Sequence, residues 1–151
     1  MLQAGDALPK LDVVVDDGST TSLASLAKDT LVLYFYPKDD TPGCTNEAAQ
    51  FSAADGEFRK RGATVVGVSR DSVESHRKFK KKYDIPYALI ADTESKLCDA
   101  FGVIVEKKMY GITRMGLARS TFIIDGSGTI AKVWKSVKVE GHAQAVLAAL
   151  P

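Results

Sequence analysis

The sequence contains little cysteine and no excess of charge. Its 151 residues include 2 cysteines, Cys44 and Cys98, which are too few for a disulfide-stabilised scaffold and lack the partner ligands of a structural zinc site. The 20 lysines and arginines nearly balance the 19 acidic residues, and the net charge is +1. This balance argues against a surface that binds nucleic acid or an anionic membrane.

Long hydrophobic runs are also absent. The N-terminal segment MLQAGDALPKLDVVV has neither a basic leader nor an apolar stretch of signal-peptide length, and no run approaches the span of a bilayer. We therefore expect a cytoplasmic protein. With 45% hydrophobic and 26% charged residues and no repeat or linker, residues 1–151 are expected to form a single domain that acts on small molecules and proteins.

Short apolar segments alternate with helical patterns along the chain. The segments that predict strands are 11–15, 31–37, 63–69 and 87–91. The segments that predict helices are 44–61, 71–85, 93–101 and 142–150. Segments 119–125 and 129–137 predict a hairpin, and 103–118 is expected to be an irregular loop. This order predicts an α/β protein with a mixed central sheet flanked by helices, which resembles the thioredoxin fold.

The most informative segment is YPKDDTPGCTNE, residues 36–47. It places Cys44 in the first turn of a predicted helix, directly after a buried strand. Unpaired N–H groups and the positive end of the helix dipole favour an anion there, so a thiolate is stabilised relative to a thiol. Because the thiolate is the reactive form, we interpret Cys44 as a catalytic nucleophile rather than a small buried hydrophobe.

Several neighbouring groups are expected to assist this sulfur. The Thr41 hydroxyl is predicted to lie against both the sulfur and a substrate oxygen, and the amides of Gly43 and Cys44 are predicted to donate to the same oxygens. Arg119 opens an otherwise apolar strand, and its planar guanidinium suits two acceptors at once, although a surface cation at a strand edge is the alternative. Pro37 is expected to keep the turn rigid.

The same segment resembles the active-site motif of peroxiredoxins. It contains Pro-x-x-x-Thr-x-x-Cys as Pro37, Thr41 and Cys44, and it is most similar to the peroxiredoxin Q group, also called bacterioferritin comigratory protein. The resemblance covers essentially the whole chain, and Arg119 stands where the family has its catalytic arginine. It implies a monomer without metal or cofactor that reduces hydrogen peroxide or organic hydroperoxides through a sulfenic acid, with Glu47 orienting the arginine.

The sequence leaves open how Cys44 is regenerated. Many members of the group carry a resolving cysteine where this chain has Ala49, and the helical segment from His76 to Tyr83 contains none. Cys98 lies in a short apolar helix and is either a packing residue or the resolving thiol. We expect an external donor, such as thioredoxin, glutaredoxin or glutathione, to act as the reductant.

Two other functions are compatible with parts of this pattern. A thioredoxin-like thiol-disulfide oxidoreductase would need a Cys-x-x-Cys pair, but Thr41 occupies the first cysteine position. A non-catalytic binding or chaperone-like domain would keep the fold without the activity. His76 and His142 have no partner pattern, and both are expected to be structural or exposed.

Overall fold

The computed structural model describes residues 1–151 and contains nine strands, four α-helices and one short 3-10 helix, Leu23–Leu26. The strands are β1 (Asp12–Val14), β2 (Thr20–Ser22), β3 (Thr30–Phe35), β4 (Ala63–Ser69), β5 (Leu89–Ala91), β6 (Ile104–Met109), β7 (Ile112–Leu117), β8 (Ser120–Ile124) and β9 (Ile130–Trp134). The helices are α1 (Pro42–Lys60), α2 (Val73–Tyr83), α3 (Lys96–Phe101) and α4 (His142–Ala148).

Five strands form a central mixed sheet in the order β5-β4-β3-β8-β9. β3, β4 and β5 run parallel to one another, whereas β8 and β9 are antiparallel to their neighbours. The connections β3-α1-β4 and β4-α2-β5 step in the same direction across the sheet, and right-handed crossovers therefore place α1 and α2 on one face. This is the predicted α/β arrangement of a mixed central sheet flanked by helices.

The side chains of β3 alternate between two apolar cores, because successive residues of a strand point to opposite faces of the sheet. Val32 and Tyr34 belong to the core that α1 and α4 cover, whereas Leu33 and Phe35 belong to the core that includes α3. All six residues of β3 are buried. At about 1.5–3 kcal/mol for each large apolar side chain, the two cores anchor the strand from which the site is built.

Helix α1 carries Cys44 and begins at Pro42, two residues earlier than predicted. Proline suits the first helical position because the N–H that it lacks would have no helical partner there. Phe51 and Phe58 lie at helical spacing and are fully buried against the sheet. The helix ends before Gly62, whose φ of +74° is left-handed and favours glycine.

The irregular loop expected for residues 103–118 is wrong, because β6 and β7 form an antiparallel hairpin. Its turn residues Tyr110 and Gly111 have φ values of 53° and 75°, which are typical of a tight type I′ turn. Most side chains of the two strands are exposed, including Met109 and Met115. Without a buried face, no alternation of apolar and polar residues marks the strands in the sequence.

A second small hairpin, formed by β1 and β2, lies near the N-terminus. The apolar strand β1 was predicted from the sequence, but β2 was not, because its three residues are polar and none is buried. None of the four helices combines the length and the apolar character that crossing a bilayer requires.

Candidate active site

Cys44 lies in the first turn of α1, after the loop of residues 36–41, which we call the Cys44 loop. The carbonyl of Thr41 accepts a helical hydrogen bond from the amide of Thr45 at 2.8 Å. The amides of Gly43 and Cys44 donate to no protein atom, as is usual at a helix start. These free donors and the helix dipole stabilise negative charge at this position, where Cys44 is 1% exposed.

The register of the central sheet brings Arg119 to Cys44. Phe35 of β3 pairs with Ser120 of β8, so Arg119 lies beside the point at which the chain leaves β3 for the Cys44 loop. Arg119 Nη2 donates to Cys44 Sγ at 3.4 Å, and Nη1 donates to Glu47 Oε1 at 2.7 Å. The guanidinium therefore contacts the sulfur with one nitrogen and is held by a carboxylate through another.

Gly43 permits this close approach of the arginine. A Cβ atom at position 43 would lie 3.2 Å from Arg119 Nη2, so a larger residue would press against the guanidinium. Gly43 therefore contributes in two ways, through an unpaired amide and through the absence of a side chain.

Glu47 is the partner that orients Arg119, and it is 1% exposed. Burial raises the pKa of Glu47 to about 7, although the charge of Arg119 and the hydrogen bond with it act in the opposite direction. The second carboxylate oxygen, Oε2, is buried without a hydrogen-bond partner. Near neutral pH, Glu47 is therefore divided between its ionised and protonated forms.

The hydroxyl of Thr41 closes a turn within its own loop. Thr41 Oγ1 donates to the carbonyl of Lys38 at 2.8 Å and makes no hydrogen bond with Cys44. A hydroxyl has a single proton, and closing this turn uses it, so Thr41 offers only lone pairs to another group. Pro37 is exposed on the same loop, where it restricts the backbone rather than covering the sulfur.

Cys98 is not brought together with Cys44. Cys44 belongs to the core beneath α1 and Cys98 to the core on the opposite face, so the central sheet separates the two thiols. A disulfide requires the Cα atoms of its two cysteines to lie within about 7 Å of each other. Burial, together with the hydrogen bond and charge of Asp92, raises the pKa of Cys98 and keeps it protonated. In this structure Cys98 is a packing residue, and a bond with Cys44 would require the two cores to rearrange.

Asp39, Asp71 and His76 form a cluster at the Cys44 loop that no pattern in the sequence indicated, and Asp39 and His76 are its buried members. His76 is structural rather than exposed: its Nδ1 lies 2.7 Å from Asp39 Oδ2 and its Nε2 lies 2.8 Å from the Ile90 carbonyl. Ligand atoms of the three residues lie within 4.8 Å of one another. Both imidazole nitrogens are already bonded, so a metal ion would have to displace one of these partners.

Comparisons with known proteins agree on one family. The model of the AhpC/TSA family matches residues 4–133. A putative peroxiredoxin bcp from Coxiella burnetii is 42% identical over 149 residues, which cover 99% of this chain and 99% of that protein. Peroxiredoxin Bcp from Xanthomonas campestris is 49% identical over 140 residues, which cover 93% of this chain and 88% of that protein.

Solved structures show the same similarity. A structure of the bacterioferritin comigratory protein from Xanthomonas campestris, described for its alkyl peroxide reduction activity, has a TM-score of 0.89 at 46% identity, with 95% of this chain and 96% of that chain covered. A cysteine-to-serine variant of PrxQ from Xylella fastidiosa has a TM-score of 0.92 at 40% identity, with 98% and 94% covered. These matches confirm the predicted thioredoxin-like fold.

Proposed function

The chain belongs to the AhpC/TSA family and is a peroxiredoxin, a thiol peroxidase, and we propose that Cys44 is the residue that attacks the peroxide. The observation that carries this assignment is the 3.4 Å contact between Arg119 Nη2 and Cys44 Sγ at a helix start with free amides. A thiolate and a departing oxygen anion both need positive charge and N–H donors, and this arrangement supplies them together.

The first half-reaction oxidises Cys44. Its thiolate attacks one oxygen of the peroxide, an S–O bond forms as the O–O bond breaks, and the other oxygen leaves as hydroxide or alkoxide. Protonation of this anion gives water or alcohol, and the cysteine becomes a sulfenic acid. Arg119 and the amides of Gly43 and Cys44 stabilise the developing charge, while a lone pair of Thr41 can accept a hydrogen bond from the O–H of the bound hydroperoxide.

The second half-reaction returns Cys44 to the thiol. An external thiol attacks the sulfenic sulfur and releases water, which leaves a mixed disulfide. A second thiol then attacks that disulfide and frees Cys44. Because Cys98 is buried on the other face of the sheet and Ala49 stands in α1, both thiols come from the reductant, for which thioredoxin, glutaredoxin and glutathione are the candidates.

Peroxide consumption in the presence of dithiothreitol tests the assignment of Cys44. The Cys44→Ser variant is expected to lose turnover, whereas Cys98→Ala, its matched control, keeps the wild-type rate because Cys98 lies in the other core. Turnover that survives Cys44→Ser would refute the assignment. Reduction of disulfides without consumption of peroxide would instead favour the thioredoxin-like oxidoreductase.

Mass spectrometry after one equivalent of hydrogen peroxide tests the external reductant. We expect a sulfenic acid on Cys44, trapped by dimedone, and no bond between Cys44 and Cys98. A disulfide between the two cysteines that forms faster than the trapped sulfenic acid would overturn the one-cysteine mechanism, and would require the sheet that separates the two residues to rearrange.

A further inference from the structure

Two neighbouring carboxylates tie the Cys44 loop to helix α2. Asp39 Oδ2 accepts a hydrogen bond from Ser75 Oγ at 2.8 Å and pairs with Nδ1 of His76 at 2.7 Å. The next residue, Asp40, accepts a hydrogen bond from Lys82 Nζ at 2.8 Å and another from the hydroxyl of Tyr83 at 2.5 Å. The loop that leads into Cys44 is therefore attached at two points to a helix that carries no catalytic group.

The attachment through Asp39 is buried and has many bonds. Its other oxygen, Oδ1, accepts from the hydroxyl of Tyr36 at 2.6 Å, and its amide donates to Asp71 Oδ2 at 2.9 Å. The same Asp71 oxygen accepts from Ser69 Oγ at 2.6 Å. Asp39 is 7% exposed and His76 is fully buried. The loop cannot move away from α2 at this point without breaking several bonds that water does not replace in the interior.

The surroundings of His76 favour a charged imidazole. The Ile90 carbonyl can only accept, so Nε2 carries a proton, and Nδ1 lies 2.7 Å from the carboxylate of Asp39. Burial alone would lower the pKa of His76. The pKa is nevertheless raised, because the effect of burial is outweighed by the hydrogen bond and charge of Asp39, the Ile90 carbonyl and the charge of Asp71. Asp39 and His76 thus form a buried, hydrogen-bonded pair.

The attachment through Asp40 is different in kind. The side chains of Asp40 and Lys82 are 43% and 58% exposed, so water and salt screen their attraction. Exposed ion pairs of this type contribute little, whereas removing one partner of a buried pair is strongly destabilising. The two carboxylates are adjacent in the sequence and provide a comparison of a buried and an exposed attachment to the same helix.

We propose that Asp39 and His76 are positioning residues that hold the Cys44 loop closed against α2 and so set how often oxidised Cys44 becomes accessible to the reducing thiol. Cys44 is 1% exposed in the closed form, so a thiol as large as a tripeptide reaches its sulfur only after the loop or the helix start moves. This inference rests on the proposed function, because opening matters only if Cys44 is the residue that peroxide oxidises.

The two half-reactions should respond differently when this attachment is weakened. If about 99% of the protein is closed, a tenfold larger opening constant removes only about a tenth of the closed form, and the rate of reaction with peroxide hardly falls. The reaction of the sulfenic acid with a bulky thiol proceeds through the open form, so its rate rises in proportion to the opening constant. Damage to the site as a whole would lower both rates.

The experiment compares Asp39→Asn and His76→Gln with Asp40→Asn. Asparagine tolerates the left-handed φ of 56° at position 40, which makes Asp40→Asn a matched control for Asp39→Asn. One equivalent of hydrogen peroxide oxidises each protein, and the second-order rate constant of sulfenic acid formation is measured by rapid quenching. Glutathione is then added, and the rate of its adduct at Cys44 is followed by mass spectrometry.

We expect Asp39→Asn and His76→Gln to raise the rate of the glutathione reaction by about tenfold or more, with the peroxide rate constant changed less than about threefold. Asp40→Asn should leave the rate of the glutathione reaction and the peroxide rate constant within about twofold of wild type. Buried-site variants that behave like Asp40→Asn, or that lose both rates together while folded, would overturn the inference. A wild-type protein that forms no sulfenic acid at Cys44 would instead refute the proposed function.

A gentler variant keeps the test decisive if the two charge variants do not fold. Ser75→Ala removes one hydrogen bond to Asp39 Oδ2 from a partly buried position on α2. It should raise the rate of the glutathione reaction by about threefold and leave the peroxide rate constant within about twofold. An unchanged glutathione rate in a folded Ser75→Ala protein would contradict the role given to Asp39.

Discussion

Replacing Glu47 by glutamine should make the protein more stable and less active at alkaline pH. Glu47 is 1% exposed and one of its carboxylate oxygens has no partner, so its charge is poorly compensated even with Arg119 at 2.7 Å. Glutamine has the shape of the protonated acid and keeps an oxygen for the guanidinium to contact. The substitution therefore removes the cost of a buried negative charge together with the electrostatic hold on Arg119.

The size of the stability gain follows from the pKa of Glu47, which rises from 4.5 to about 7 on folding. Because the folded pKa is the higher one, the folded state binds the proton more tightly. The stabilisation is complete below about pH 4.5 and is lost as the pH rises through about 7. This shift of the Glu47 pKa corresponds to about 3 kcal/mol of unfolding free energy. Wild type loses that stabilisation by about pH 8.5, whereas Glu47→Gln keeps it.

Urea unfolding of both proteins at about pH 4.5 and about pH 8.5 measures this difference. The two proteins should have similar stabilities at the lower pH, and Glu47→Gln should be about 3 kcal/mol more stable at the higher one. Its rate constant with peroxide should be lower than that of wild type at alkaline pH, because Arg119 loses the charge that holds it. A Glu47→Gln protein that is no more stable than wild type at about pH 8.5 would refute the reasoning.

Three further outcomes follow from the geometry. Arg119→Lys, which cannot span Cys44 and the carboxylate with two nitrogens, should lower the rate constant with peroxide by about a hundredfold in stopped-flow measurements, and a loss under about threefold would contradict the contact. Gly67→Ala should lower the free energy of unfolding, measured by urea titration, by about 1–3 kcal/mol, because a Cβ there would lie 2.8 Å from Leu89 and 3.0 Å from Tyr34. An unchanged midpoint of urea unfolding would show that the sheet accommodates the added methyl group. Oxidation should increase hydrogen exchange in residues 44–51, and identical exchange in both redox forms would argue against local unwinding.

The parts of the fold that could be predicted from the sequence are those with a buried face. β3 and β4 are continuous apolar runs because both of their faces are covered, and α1 shows helical spacing because Phe51 and Phe58 face the sheet. β6 and β7 could not be predicted in this way, since their exposed side chains carry no period. Their hairpin depends on backbone pairing and on the turn at Tyr110, neither of which leaves an apolar pattern.

The same distinction applies to the site. A local motif identified Cys44 and its turn as the candidate site, and the position of Arg119 at the start of a strand identified this arginine as a candidate partner. Asp39 and His76 are 37 positions apart in the sequence. No local pattern predicts their pairing, because it depends on where α2 crosses the loop. Nor could the sequence show that the Thr41 hydroxyl uses its proton on the carbonyl of Lys38.

In the proposed mechanism, the placement of the two cysteines determines what limits the catalytic cycle. The helix start that activates Cys44 also buries it to 1% exposure, and the sheet keeps Cys98 in the other core. Peroxide is small and reacts in the closed form, whereas the thiol that follows needs the open form. While the protein stays closed, a second peroxide can oxidise the sulfenic acid irreversibly to the sulfinic acid. The strength of the contact between the Cys44 loop and α2 therefore has two opposing effects. A stronger contact preserves the geometry that reacts with peroxide, but it also prolongs the interval in which Cys44 can be oxidised irreversibly.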